Sequence, residues 1–365
     1  MKKEHIILGS NLTDYDLNRI APPEDIIFLD IETTGLVSYN SFIYMIGMAY
    51  YSNDNYHYEC IFAEDASEEE ELLDSFLRVF TGHTMIIHYN GNTFDLPFIE
   101  DRAKAFGKSI VFNRYDGIDL YRRISPFKHM LGLSNCKQKT IESFLGVGRD
   151  DEYTGGELIH VYRKYTETKD EELYKLLYTH NRDDVIGLIK ILPMLSYLDL
   201  YNDPVTVKSV KINTYRDAME AIKKELLIEF SINSPLPGPL SSSSEGCYVS
   251  IKGSDGLLKI PIYHEELKYF FENYKDYYYL PEEDMAVHKS VSIYVDKAFR
   301  KQATAATCYC RKVGDYLPEW DYIFTPFFKR EYDSTQLFFE LTDEVKKSRE
   351  AFCDYVSHIL VRMAK

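Results

Sequence analysis

Five side chains in this chain could build acid–base or metal chemistry: Asp30, Glu32, Asp95, His180 and Asp184. Within FLDIETTGL (28–36), Asp30 and Glu32 are two apart in an apolar run. A strand points residues i and i+2 to one face, so both carboxylates share a side and repel unless a cation lies between them. By itself that spacing serves a cation site or a strand running out into the polar turn Thr33-Thr34-Gly35. Asp95, in HYNGNTFDLPF, opens a helix just after a strand, where an aspartate also stabilises the helix N-terminus through the dipole. His180 and Asp184, in HNRDDV, are four apart in a helical pattern and share a face, an arrangement equally expected of a surface pair.

These residues need elements to position them. Apolar runs at 25–31, 42–50 and 56–63 read as three successive strands joined by polar turns, antiparallel neighbours in a sheet. ASEEEELLDSFLRVF follows with an acidic first turn and helical phase at Leu72, Leu73, Phe76, Leu77 and Phe80, its EEEE run read as a solvated helix start. TMIIHYN reads as a fourth strand, FDLPFIEDRAKAFG as a helix with Pro97 in its first turn, and GIDLYRRI as a short strand. KQKTIESFLGV is helical, and a long helix begins at Thr168 and Glu171, which have capping-box spacing. Leu173, Leu176, Leu177, Val185, Leu188 and Ile189 form its buried stripe; His180 and Asp184 lie near the edge, and Asn181, Arg182 and Asp183 read as solvated or structural.

Bulk composition narrows the classes. Hydrophobic residues make up 45% of the 365 and charged residues 27%, which suits a soluble globular chain long enough for two domains. No apolar run reaches the ~18 residues a membrane helix needs, and the N-terminal MKKEHIILG is too short and too soon interrupted for a signal peptide. The six dispersed cysteines show no C-x-x-C spacing, which predicts reduced thiols in the cytoplasm and no zinc site. The net charge of −16 argues against general nucleic-acid affinity. It is unevenly spread: residues 1–200 hold 20 basic and 33 acidic side chains, residues 201–365 hold 22 and 25. An acid-rich first half is what a carboxylate metal centre would contribute to.

Taken together, Asp30, Glu32, Asp95 and Asp184 with His180 resemble the three motifs of the DEDD (DnaQ-like) 3′–5′ exonuclease superfamily: DIETTG the first, YNGNTFDLPF the second and HNRDD the third in its H-x-x-x-D form. The second stretch is also similar to the proofreading domains of family-B DNA polymerases, which carry tyrosine where His180 stands. The closer resemblance is to bacterial proteins with a YprB-type ribonuclease H-like domain, through LSNCKQKTIESFLGVGRDDEYTGGELIHVYRKY (133–165). It implies an α/β fold over about 25–200: a ribonuclease H-like mixed sheet, three antiparallel strands then parallel ones, flanked by helices; the elements that follow read as a smaller α+β C-terminal domain. It further implies hydrolysis of DNA or RNA from the 3′ end to 5′-mononucleotides, with two divalent ions, Mg²⁺ or Mn²⁺, as cofactors. In that scheme one ion lowers the pKa of the attacking water and the other steadies the leaving oxygen. Asp30 would bridge the ions, Glu32 would bind both, Asp95 and Asp184 would each serve one, and His180 would be the general base. Thr33, Thr34 and Asn90 would hold the terminal nucleotide and Leu36 would wedge against its base.

The expected layout is an N-terminal extension (1–24), the catalytic domain (25–200), a linker region (201–246) and the C-terminal α+β domain (247–365). SPLPGPLSSSSEG (234–246) has linker composition, and CYVSIKG-SDG-LLKIPIY reads as a hairpin with its turn at Ser254-Asp255-Gly256. Helices are expected near 284–300 and 342–363. The tail interleaves aromatics with cations (Tyr277–Tyr279, His288-Lys289, Arg311-Lys312, Lys329-Arg330), which suits single-stranded nucleic acid or, equally, a packed small core with solvated charges. Two other readings compete with the exonuclease: a structure-selective endonuclease, and a nucleic-acid-binding module without turnover.

Overall fold

The computed structural model describes residues 1–150, 153 and 155–363. Asp151, Glu152 and Thr154, within the 133–165 stretch, lie outside the described residues. The chain divides into two compact units, Met1–Leu198 and Asp199–Lys365. No helix among the described residues is long and apolar enough to cross a membrane.

The first unit is a six-stranded mixed sheet with helices. Its strands are β1 (Lys2–Gly9), β2 (Ile26–Thr33), β3 (Ile43–Ser52), β4 (Asn55–Phe62), β5 (Met85–His88) and β6 (Asp116–Asp119), in the order β1-β4-β3-β2-β5-β6. The pairs β1–β4, β4–β3 and β3–β2 are antiparallel, whereas β2–β5 and β5–β6 are parallel. The helices are α1 (Glu69–Phe80), α2 (Asp95–Ala105), α3 (Leu120–Ile124), α4 (Gln138–Phe144), α5 (Gly155–Thr168) and α6 (Glu171–Lys190), and α7 (Ser196–Asn202) carries the chain across the boundary at 198.

β2 lies between β3 and β5 and is buried along almost its whole length, as its apolar run requires. Ile27, Leu29 and Ile31 pack into one cluster with Leu72, Leu73, Phe76 and Phe80 of α1 and Leu96, Phe98 and Ile99 of α2. The alternate residues Phe28, Asp30 and Glu32 therefore face the other way. On that side α6 supplies His180 and Asn181 to the two carboxylates.

Several expectations change. Residues 1–24 are not a mere extension: β1 is an edge strand of the sheet, and its exposed, charged sequence KKEHIILG is what an edge tolerates without showing a buried-strand pattern. The EEEE run is not wholly solvated, because Glu69 is buried and held by Arg102, with Nη2–Oε2 at 2.5 Å and Nε–Oε1 at 2.8 Å. GIDLYRRI yields only the four-residue β6 before α3 begins at Leu120. The long helix is capped by Asp170, whose side chain accepts from the Glu172 amide at 2.9 Å, rather than by Thr168.

The second unit is mainly β. Its strands are β7 (Thr206–Arg216), β8 (Ile222–Ser231), β9 (Leu240–Ser244), β10 (Cys247–Lys252), β11 (Asp255–Phe270), β12 (Tyr277–Leu280), β13 (Met285–His288), β14 (Lys301–Gln302), β15 (Tyr309–Glu319), β16 (Phe327–Phe328) and β17 (Leu337–Glu340). The long β11 pairs β8, β10 and β15, and β12 joins β13 and β14 in a separate three-stranded sheet. Residues 201–246 are thus not a linker: they carry β7 and β8 and the serine-rich β9, which pairs β10 through its buried Leu240. Within 234–246 the prolines fall at 235–239, ahead of β9, and serine at a half-exposed strand gives no apolar alternation to read. The β10–β11 hairpin closes Lys252 on Asp255, so its turn is Gly253-Ser254, with Gly253 at φ +58°. No helix forms over 284–300; two 3-10 turns follow β13 instead. The last helix is split at Ser348 into α8 (Asp343–Lys347) and α9 (Arg349–Met363).

Candidate metal centre

The site starts where two strands part. β5 pairs β2 only as far as Phe28↔Ile87, so the Ile31 amide is not needed by the sheet on that side. Asp95, the first residue of α2, fills the gap: its Oδ1 accepts from Ile31 N at 3.2 Å. The helix-start role open to Asp95 and a site role therefore coincide, because α2 begins where β2 and β5 diverge.

Asp30 and Glu32 meet α6 on the face described above. Asn181 Nδ2 donates to Asp30 Oδ2 at 3.0 Å, and Asn181 Oδ1 accepts from Tyr58 OH at 2.9 Å. Asp30 is paired across the sheet with Gly47, where an added Cβ would stand 1.9 Å from Asn181 Oδ1. A glycine is required there because Asn181 occupies the space. His180 Nε2 lies 3.4 Å from Glu32 Oε1 and 3.1 Å from Asp184 Oδ2.

Asp184 is also held from its other oxygen. Arg149 Nη2 donates to Asp184 Oδ1 at 2.5 Å, while Nη1 donates to both oxygens of Glu142 at 2.8 and 2.9 Å. Glu142, on α4, is buried, and Gln138 Nε2 donates both to its Oε1 at 2.9 Å and to the Asp184 carbonyl at 2.8 Å. Gly187, one turn beyond Asp184, makes room for this cluster, since a Cβ there would sit 2.1 Å from Glu142 Oε1.

Crowding governs the electrostatics. Burial, then the charges of Asp184, Asp95 and Glu32, push the Asp30 carboxyl well above the usual range, partly offset by the Asn181 hydrogen bond. Burial raises Glu32 to about 8 against the opposing pull of His180, and raises Asp95 to about 7 against the Ile31 amide. Burial also acts on Asp184, but hydrogen bonds and charge from His180 and Arg149 outweigh it and hold that carboxyl below its ordinary value. Three desolvated carboxyls that resist ionising are a reservoir of affinity for cations.

The donors fit a divalent ion: Glu32, His180 and Asp184 each offer one ligand atom within 4.8 Å of the others, with the Asp30 and Asp95 carboxylates close enough to shift them. All five expected chemical residues thus gather in one place.

The expected substrate contacts are more scattered. Thr33 is buried with its hydroxyl donating to the Gly35 carbonyl at 2.8 Å, and Thr34 exchanges bonds with the main chain of Phe42. Asn90 stands at φ +60° in the turn after β5, its amide donating to Asp119 Oδ1 at 2.9 Å and its side-chain oxygen accepting from Thr93. Leu36 is 81% exposed, with Val37 and Tyr39 also open to solvent in the β2–β3 loop.

Sequence reasoning missed Asn181, Gly47, Tyr58, Arg149 and Glu142. Of the two roles open to Asn181, solvated or structural, the fold takes the second: it is fully buried and donates to Asp30. Its position beside His180, about 100° round the helix toward β2, was the available signal. Arg149 lay in plain view within the 133–165 stretch, but nothing local ties it to Asp184.

Residues 27–196 match the family model described as RNase_H superfamily, and the mixed α/β sheet with its flanking helices is RNase H-like. No curated protein sequence matches the chain. Among solved structures, the chain is similar to the family B DNA polymerase of Pyrobaculum calidifontis at 18% identity and TM-score 0.40, over 49% of this chain and 25% of that one. It is also similar to a zinc-bound complex of E. coli ExoI with ssDNA, at 11% identity and TM-score 0.29, over 56% of this chain and 54% of that one. The match thus spans a quarter of the polymerase and about half of the exonuclease.

Proposed function

We propose that residues 25–200 form a metal-dependent 3′–5′ exonuclease that hydrolyses phosphodiester bonds of DNA or RNA and releases 5′-mononucleotides. The observation that carries this reading is the convergence of Asp30, Glu32, Asp95, His180 and Asp184, from β2, α2 and α6, on one desolvated cluster. The superfamily match over 27–196 supports it, and the 133–165 stretch favours the YprB-type branch. All six cysteines are free thiols, which supports a reducing, cytoplasmic setting.

Asp30, Glu32, Asp95 and Asp184 would hold two divalent ions, Mg²⁺ or Mn²⁺, and these supply water activation and leaving-group stabilisation. The chain's own residues do the rest. Asn181 and Arg149 fix the carboxylates they touch, so the donors are oriented before a substrate arrives. His180 Nε2, 3.4 Å from Glu32 and 3.1 Å from Asp184, is the nitrogen base of the cluster and would take the proton of the attacking water beside those acids. Leu36 and Tyr39, exposed on the β2–β3 loop, offer an apolar edge for a terminal base.

The test is a panel of 5′-labelled single- and double-stranded DNA and RNA, with Mg²⁺ or Mn²⁺. A ladder of stepwise 3′ shortening is expected, and Asp30→Asn or Asp184→Asn should abolish it. Full activity in either variant overturns the reading. Cleavage of circular single-stranded DNA would replace it with an endonuclease, and tight binding without hydrolysis would replace it with a binding module.

A further inference from the structure

In the second unit, the segment after β13 turns apolar side chains to water instead of forming a helix. Tyr294 is 87% exposed and Phe299 53%, and Val291 and Ile293 are also open. They sit on and beside the two 3-10 turns Ser292–Tyr294 and Lys297–Phe299. Arg300 ties these turns to the small sheet by donating to the carbonyl and hydroxyl of Ser292.

The three consecutive tyrosines of β12 divide as strand alternation demands. Tyr277 stacks on Phe271 at 4.6 Å and lies against Ala286, Ala303 and Cys308, and Tyr279 donates to Asp284 at 2.6 Å; these two serve packing. Tyr278 takes the opposite face, where Lys289 lies 5.5 Å and Arg300 4.9 Å from its ring centre.

Cations in the tail divide as well. Arg311 is paired with Glu266 at 3.1 Å, Lys312 with Glu340 at 2.6 Å and Arg330 with Glu265 at 2.7 Å. Among the described residues no carboxylate is paired with Lys289, Lys297, Arg300 or Lys301, and the side chains of Lys289 and Arg300 lie over the Tyr278 ring. The single acid of 286–302, Asp296, is occupied with accepting the Ala298 amide at 2.9 Å. A stretch with four cations, one acid and exposed rings is a local exception in a chain of net charge −16. Screening over about 8–10 Å lets it act locally despite that total.

We propose that this face, built on Tyr278 and the 289–300 segment, is a contact surface for single-stranded nucleic acid. Bases stack on Tyr294 and Phe299, and phosphates meet Lys289, Lys297 and Arg300. The alternation of ring and cation along the segment matches a polymer that alternates base and phosphate, which neither a lipid surface nor an acidic peptide does. The choice of occupant rests in part on the nuclease reading, but the binding itself needs no turnover.

The full chain is titrated in EDTA, by fluorescence anisotropy, into fluorescein-labelled 20-mer single-stranded DNA and RNA at two salt concentrations. Tyr294→Ala/Phe299→Ala should weaken binding about thirtyfold or more, each lost stacking ring being about a fivefold loss at least. Lys289→Glu/Lys297→Glu should flatten the salt dependence, by about 1.4 in the log–log slope for two lost phosphate contacts. Thermal midpoints of both variants check folding. If hydrolysis is absent throughout while the surface variants still lose binding, the surface stands and the nuclease reading falls. Unchanged affinity and slope in both surface variants overturns the inference. So does binding to phosphatidylserine vesicles with none to oligonucleotide.

Discussion

Asn181 Nδ2 lies 3.0 Å from Asp30 Oδ2, and this contact exists because Gly47, opposite Asp30 in the sheet, leaves the space that the Asn181 side chain occupies. The carboxylate expected to matter most is therefore oriented by a neighbour on α6 and by the absence of a side chain on β3. Tyr58 completes the set by donating to Asn181 at 2.9 Å.

Asn181→Ala should lower metal-dependent hydrolysis and Mn²⁺ affinity by about 10–100-fold, the usual range for a residue that orients a ligand. Gly47→Ala should reproduce that loss by displacing Asn181, although it changes neither charge nor hydrogen-bonding groups. Calorimetric Mn²⁺ titration beside kinetics checks the pair. If Gly47→Ala binds Mn²⁺ normally, the proposed relay is wrong.

Arg149 links Glu142 to Asp184, and all three are largely buried. Arg149→Met leaves Glu142 an unpaired buried charge and should cost about 3–5 kcal/mol of stability. Arg149→Met/Glu142→Leu should regain most of that in urea unfolding. It should not regain hydrolysis or Mn²⁺ affinity, because Asp184 still lacks its partner. Recovery of both properties together would show Arg149 to be a structural counter-ion alone.

The crowded carboxyls predict how stability depends on pH and cations. Asp30, Glu32 and Asp95 are harder to ionise in the fold, Glu32 until about pH 8 and Asp95 until about pH 7. Above the ordinary carboxyl range the unfolded chain loses those protons first, so the cation-free protein should lose stability as pH rises toward 8. Asp184 works the other way: its lowered value stabilises above the ordinary range and is lost as pH falls through it. Thermal midpoints in EDTA should fall from pH 5.5 to 8, and the rise produced by Mn²⁺ should be larger at pH 8. A cation effect equal at both pH values would count against the site.

Leu36 projects from the β2–β3 loop, largely free of packing. Leu36→Ala should raise KM several-fold while leaving the unfolding free energy within about 0.5 kcal/mol of unchanged, as for other surface substitutions. A change confined to kcat would remove Leu36 from substrate contact.

Much of the first unit was legible in residue pattern. The near-continuous apolar run of β2 marks a strand buried on both faces, and the helical phase of Leu72, Phe76 and Phe80 marks α1. Those signals are local, because burial imposes a period of two or of 3.6 on one short segment. Edges and compensating pairs left no such mark. β1 is mostly exposed, β9 is serine-rich, and Glu69 looks like its solvated neighbours until Arg102 arrives from α2.

The candidate site divides in the same way. Residue type and spacing alone determined that Asp30 and Glu32 share a face, that His180 and Asp184 share another, and that Asp95 opens a helix after a strand. Only the tertiary structure decided that these faces meet, that Asn181 and Arg149 orient the carboxylates, and that Gly47 and Gly187 clear the way for them. The physical reason is range. Backbone periodicity is set by neighbours a few residues away, whereas desolvation and charge pairing depend on side chains more than a hundred residues apart in the chain, such as Asp30 and Asn181.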